Sequence, residues 1–246
     1  MANERLRSAI LTNGYGLQSF AEGLGVDRKT VDRWIAGRNL PYRRHQFDIA
    51  AKLGLDVAYL WPEAHAGSTP GDVGQAELLT LYPHRSAVPD AVWLDLLDRA
   101  KTNIDVLVYS GMYLAESTTF HQIARSKAKA GATVRILLGD PDGENIARRG
   151  DEEGIGDAMA ARVHNAIVLF KKLRTAKGLE FRCHDTVLYN SIIRGDGDLL
   201  VNTHVQGLPA YQAPVMHLRR VPGADLVSTY LDSFERVWEN ASPCLE

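Results

Sequence analysis

The chain has 246 residues, of which 45% are hydrophobic and 24% charged, and a net charge of -2. That balance fits one large or two ordinary folded domains and excludes a disordered or fibrous chain. The near-neutral charge argues against nucleic-acid binding over the whole surface, and two cysteines, Cys183 and Cys244, exclude a disulfide framework and a cysteine-built metal site.

No apolar run approaches the ~18 residues of a membrane span. Met1 to Ile10 is polar, with no signal-peptide core, so a cytoplasmic location is expected. Along the chain, "ANERLRSAILTNG" has helical spacing and stops at Asn13-Gly14. "LQSFAEGLG" is a short amphipathic helix ended by Gly25, and "DRKTVDRWIAG" a second one, capped by Asp27 and ended near Gly37. "YRRHQFDIAAKLGL" and "DVAYLWP" supply further helical turns, and no strand is predicted before residue 100. Between Arg28 and Arg44 lie Arg28, Lys29, Arg33, Arg38, Arg43 and Arg44 against the single acid Asp32. A basic cluster inside a neutral chain is the footprint of a local phosphate-contacting surface, or a solvated helix face.

Residues 64–76, "AHAGSTPGDVGQA", read as a linker. The predicted organisation is thus an all-α domain over 1–63, a linker over 64–76 and an α/β domain over 77–246. In the last, "DAVWLDLLDRAKTN", "TTFHQIARSKAKAG", "GDAMAARVHNAIVLFKKLRTAKG" and "ADLVSTYLDSFERVWENA" are helical. "IDVLVYSGM", "ATVRILLGDP", "LEFRCHD", "VLYNSIIRG", "DLLVNTHV" and "APVMHLRRV" are strands. Strands separated by helices, then strands in succession, predict a mixed sheet flanked by helices.

In "LQSFAEGLGVDRKTVDRWIAGRNLP", Ala21 falls where two helices approach, Gly25 at the turn, and Val26, Val31 and Trp34 at inward spacing. This stretch resembles the Cro and lambda-repressor-like (XRE-type) helix-turn-helix domain over roughly residues 4–61. The resemblance implies that Arg28, Lys29 and Arg33 contact base edges at the start of the recognition helix, with Thr30 near the DNA backbone. Arg38, Arg43 and Arg44 would hold phosphates. Double-stranded operator DNA is the expected partner, bound by a homodimer because one such helix reads only a half-site.

"LYNSIIRGDGDLLVNTHV" reads as strand, turn and returning strand. It resembles the phospholipase D motif His-x-Lys-x4-Asp, with Tyr189 at the histidine, Ser191 at the lysine and Asp196 at the aspartate. The closing "YLDSFERVWENA" resembles the last helix of that superfamily. The histidine of that motif is the covalent nucleophile, so its replacement predicts no catalysis here. The design resembles archaeal TrmB-like regulators, and actinobacterial XRE regulators with "LGDP" and "LYNS" segments. A small polar or phosphorylated effector is expected against Tyr189, Asn190, Ser191, Arg194, Asn202, His204, His217 and Arg219. Asp140, at the end of a strand in "LGDPDGENIARRG", joins that set, although the segment also reads as a plain helix-capping loop. Its acids do not complete a calcium-loop spacing, so neither a metal nor a cofactor is expected.

The reading is a DNA-binding transcriptional regulator whose C-terminal domain dimerises, senses a ligand, or both. The alternatives are a DNA-targeted phosphodiesterase or nuclease of phospholipase D type, and a regulator whose C-terminal domain binds a protein partner.

Overall fold

A computed structural model describes residues 2–55, 57–62, 77–173, 177–221 and 224–244, without the side chains of Arg43 and Phe47. The predicted linker over 64–76 lies outside the described residues. The chain divides into two compact units, Met1–Thr80 with Val221–Ala224, and Leu81–Arg220 with Asp225–Glu246.

The first unit carries α1 (Glu4–Thr12), α2 (Leu17–Glu22), α3 (Arg28–Ile35), α4 (Arg43–Leu53) and α5 (Val57–Leu60). Two side chains start helices: Asn3 accepts from Leu6 N–H at 2.9 Å, and Asp27 accepts from Thr30 N–H at 2.8 Å. The Thr30 N–H holds the exposed Asp27 carboxyl below its ordinary range. Between α2 and α3, Gly25 takes φ +68, a conformation that a side chain makes costly. Leu6, Ile10, Phe20, Ala21, Val31, Trp34, Ile49 and Leu60 form one core.

In the second unit a mixed eight-stranded sheet runs in the order β1-β7-β6-β5-β2-β3-β4-β8. The strands are β1 (Leu78–Tyr82), β2 (Asn103–Leu107), β3 (Thr133–Gly139), β4 (Leu179–His184), β5 (Asn190–Gly195), β6 (Asp198–Thr203), β7 (Val215–Arg219) and β8 (Ser242–Pro243). The division between the units falls within β1. β2, β3 and β4 are parallel, and β5, β6 and β7 extend the sheet antiparallel from β2. Central parallel strands are covered on both faces, which is why β3 is a nearly continuous apolar run.

The helices of this unit are α6 (Asp90–Arg99), α7 (Met112–Ala115), α8 (Thr118–Lys129), α9 (Glu144–Glu152), α10 (Ala158–Phe170) and α11 (Leu226–Glu239). On one face Phe120 of α8, Phe170 of α10 and Phe181 of β4 pack ring to ring, with centroids 6.1 and 5.7 Å apart. Gly195 admits α6 on the same face, since a Cβ there would meet the Leu96 carbonyl oxygen at 2.3 Å. Register puts Asp105, Arg135, Arg182 and Arg194 on the opposite face. There Arg182 donates to the Trp238 carbonyl of α11 at 2.8 Å.

Among the elements that the sequence reading missed are α7, β1, α9 and β8. β1 is a strand before residue 100, built from "LLTLY", whose leucines and acidic neighbour suit a helix equally well. The segment read only as a capping loop continues into α9, whose charged, Gly-flanked sequence hides a stripe anchored by Ile146. β8 has two residues, too few to leave a periodic signal.

Candidate functional site

The β5–β6 hairpin positions the candidate site. Its register sets Ser191 opposite Asn202 and Asn190 opposite Thr203, and the ladder continues with His204 N–H donating to the Tyr189 carbonyl at 2.9 Å. At the tip, Asp196 adopts φ 53, a left-handed conformation that Asp tolerates. Its carboxylate accepts from Lys101 N–H, Thr102 N–H, the Thr102 hydroxyl and Asn103 N–H at 2.7 to 2.9 Å, tying the tip to the entrance of β2. Burial opposes the charge, but the Thr102 hydroxyl and these N–H groups outweigh it and hold the carboxyl at about 2. Asp196→Ala is expected to lower stability by about 1–3 kcal/mol, with Asp196→Asn losing less because one acceptor and the left-handed preference survive. Equal urea midpoints for the two variants would contradict this role for the carboxylate.

The open end of the hairpin is polar. Ser191 Oγ lies 3.0 Å from His204 Nε2, and His204 Nδ1 lies 3.1 Å from the Leu188 carbonyl oxygen. Tyr109, just beyond β2, stacks on the His204 ring at 5.4 Å and 20°, and its hydroxyl accepts the Leu188 N–H at 2.8 Å. Burial pushes the His204 imidazole down to about 4, helped by Arg149 and Arg85 and opposed by the Leu188 carbonyl. Burial also raises the Tyr109 phenol, so it stays protonated.

Ser191, His204 and Tyr109 line a cavity of about 290 Å³ with Arg85, Tyr113 and Arg162. Tyr189, which is 80% exposed, lines a neighbouring cleft of about 130 Å³ with His204, Arg148 and Arg149. Arg149 is neutralised by Glu153 at 2.7 Å and Glu152 at 3.4 Å, and donates to the Leu208 carbonyl at 2.7 Å. Arg85 lies over the Tyr113 ring at 4.3 Å. Among the described residues no cluster of His, Cys, Asp or Glu is arranged to hold a metal ion.

The other residues expected at the site line neither the cavity nor the cleft. Arg194 is engaged with Asp105 at 2.7 Å, and Arg219 makes a two-pronged pair with Asp198 at 2.5 and 2.7 Å. Asn202 is buried, its amide donating to the Ala213 and Pro214 carbonyls at 3.2 and 3.0 Å. His217 is buried, and its Nε2 has no hydrogen-bond partner among the described residues. Asp140 accepts from Asp142 N–H at 3.1 Å in its own turn, and Asn190 is half-buried at the start of β5. Tyr109, Arg85, Arg149 and Arg162 were missed. Only Tyr109 carries a usable signal, because it follows a strand end in an α/β sheet.

In the first unit, Arg28, Lys29, Arg33, Arg38 and Arg44 are exposed. Arg28 lies 3.7 Å from Asp32, and the Thr30 hydroxyl is bonded to Asp27 at 3.2 Å. Arg43 begins α4, its side chain outside the described set.

No protein-family description and no curated protein matches the chain. Solved structures do. One is TrmBL2, an archaeal chromatin protein whose structure shows a novel mode of DNA binding, at 13% identity and TM-score 0.43, over 81% of this chain and 65% of that one. The chain thus spans less than two thirds of that protein's length. Another is a phospholipase D family member, Nuc from Salmonella typhimurium, at 15% identity and TM-score 0.38, over 63% of this chain and 90% of that one. A third is NucT from Helicobacter pylori, at 9% identity and TM-score 0.42, over 67% of this chain and 97% of that one. The expectation that the chain is not an enzyme does not stand: the solved structures it resembles include a phospholipase D family member, and no positive observation supports an inert domain. That expectation followed one arm of the hairpin, where Tyr189, just before β5, stands at the histidine position of the motif that the sequence resembles. The returning strand leads into His204, which reaches the same end of the hairpin. No helix among the described residues is long and apolar enough to cross a membrane.

Proposed function

We propose that this chain is a DNA-binding regulator whose C-terminal region takes a small polar or phosphorylated effector. In this reading residues 1–63 are the DNA-binding domain, 64–76 a linker, and 77–246 the effector and dimerisation domain. α3 enters the major groove as the recognition helix. The observation that carries the reading is the sidedness of α3, in which Val31 and Trp34 are buried while Arg28, Lys29, Asp32 and Arg33 face outward behind the Gly25 turn. The N-terminal part of such a helix reads base edges, and Arg33 or Arg28 suits guanine through paired N–H donors. A homodimer would present two such helices to half-sites one turn apart, and an effector acts by favouring one arrangement of them.

Fluorescence anisotropy on an operator selected from random duplexes tests the first part. Arg33→Ala is expected to weaken specific binding by about 1–3 kcal/mol, and Arg38→Ala to weaken all sequences alike and reduce the salt dependence. A folded Arg33→Ala protein with unchanged operator affinity rules out α3 as the reading helix.

A further inference from the structure

Ser191 and His204 do more at the cavity than offer polar contacts. The Leu188 carbonyl can only accept a hydrogen bond, so His204 Nδ1 carries the ring proton, and Nε2 turns a lone pair toward the Ser191 hydroxyl. Tyr109 lies flat against the imidazole and is itself tied to Leu188, which keeps the ring from swinging away. A hydroxyl, a base hydrogen-bonded to it and a third group that orients the base are the parts that activate a weak nucleophile. Burial keeps the imidazole free of its second proton at neutral pH, as a base requires.

We propose that Ser191 is a nucleophile and His204 its general base, and that this cavity hydrolyses a small carboxylic ester carrying an anionic group. The inference rests on the reading that the cavity takes a small polar ligand. Phosphoryl transfer spreads charge over three oxygens and draws on several converging cations, whereas acyl transfer develops charge on one oxygen. Around this hairpin Arg149 is already neutralised by two carboxylates, Arg85 is laid on an aromatic face, and Arg148 lines the neighbouring cleft and not this cavity. The exposed Arg162, also on the cavity wall, supplies a positive charge for an anionic substituent.

In the first step Ser191 Oγ bonds to the ester carbonyl carbon while its proton passes to His204 Nε2. The bond from that carbon to the alkoxy oxygen then breaks, and the leaving alcohol takes the proton from Nε2. Water next gives a proton to Nε2 and attacks the acyl carbon. The bond to Ser191 Oγ breaks, Oγ recovers its proton, and the carboxylic acid departs.

The test treats the full chain with a fluorophosphonate and maps the adduct by peptide mass spectrometry, alongside hydrolysis of 4-nitrophenyl hydrogen succinate. A single adduct on Ser191 is expected. Both labelling and turnover should fall by about 100-fold or more in Ser191→Ala and in His204→Gln, with thermal unfolding showing that each variant is folded. The wild-type rate should be level above pH 6 and fall as His204 takes up a proton in acid. If Ser191→Ala does not fold, Ser191→Cys keeps the volume, and its iodoacetamide labelling should be lost when combined with His204→Gln. An adduct on another residue, or wild-type turnover no faster than Ser191→Ala, overturns the proposal. Calorimetry of monomethyl succinate with Ser191→Ala separates the two readings. Binding without any wild-type turnover overturns the catalytic pair alone, and no binding overturns the cavity reading with it.

Discussion

Asp105→Ala is expected to lower the stability of the C-terminal unit by about 3–5 kcal/mol, the largest effect of any single substitution considered. Asp105 sits on the central strand β2 and is fully buried. Its neighbours in register are Arg135 on β3 and Arg194 on β5, and it takes one guanidinium on each oxygen at 2.7 Å. Arg135 gives one N–H from each terminal nitrogen to Glu235 of α11 at 2.8 and 2.7 Å, with its guanidinium 4.7 Å from the Phe234 ring. Four charges thus alternate across three strands and a helix. Removing Asp105 leaves two arginines largely out of water with only part of their compensation. A buried ion network is costly to break and less costly to replace whole. The triple change Asp105→Leu, Arg135→Met and Arg194→Met is therefore expected to be milder than Asp105→Ala. Urea unfolding followed by circular dichroism decides this, and a loss under about 1 kcal/mol for Asp105→Ala would falsify the role of the network.

Acid should weaken the fold well before the carboxylates titrate. Burial pushes His184, His204 and His217 down to about 4 from the ordinary value of 6.5. The unfolded chain binds protons at these positions near pH 6.5, and the folded chain only near pH 4. Stability contributed by the neutral rings is therefore present above pH 6.5, falls as pH drops toward 4, and changes little below it. For the most buried rings the loss is on the order of 3 kcal/mol each, taken from a total that is seldom above 15. His217 gives the cleanest test because its Nε2 is buried without a partner among the described residues. His217→Leu should retain or raise stability at pH 7 and flatten the decline between pH 6.5 and 4.5. Thermal midpoints measured at fixed ionic strength check this. Parallel pH curves for the two proteins would show that His217 does not carry the effect.

Much of the architecture is visible in local pattern. The Asp27 cap, the Gly25 turn and the inward spacing of Val31 and Trp34 depend on neighbouring residues, and all are read correctly from the chain. The apolar runs of β2 and β3 and the hairpin of β5 and β6 are equally local. What could not be read depends on partners far away in sequence. Arg194 and Arg219 look like ligand-binding cations until their strand neighbours supply Asp105 and Asp198. His204 looks like one polar residue among several until hairpin pairing brings it to Ser191, and Arg85 and Arg162 join them at the cavity only through the tertiary fold. A tyrosine at the histidine position of a resembled motif was therefore weak ground for expecting no chemistry, because a linear motif says nothing of what the next strand delivers.

The strand order has a consequence for how the chain is made. β2 lies beside β5 with Ile104 opposite Gly195, and β4 lies beside β8 with Arg182 opposite Pro243. The middle of the sheet cannot close until Gly195 has left the ribosome, nor its far edge until Pro243 has. The helices of residues 4–60 pack into one core of their own and are free to form long before that. A nascent chain therefore carries a finished helical head while the strands behind it still wait for partners, and truncations anywhere upstream of Gly195 should leave a soluble head attached to an aggregation-prone tail.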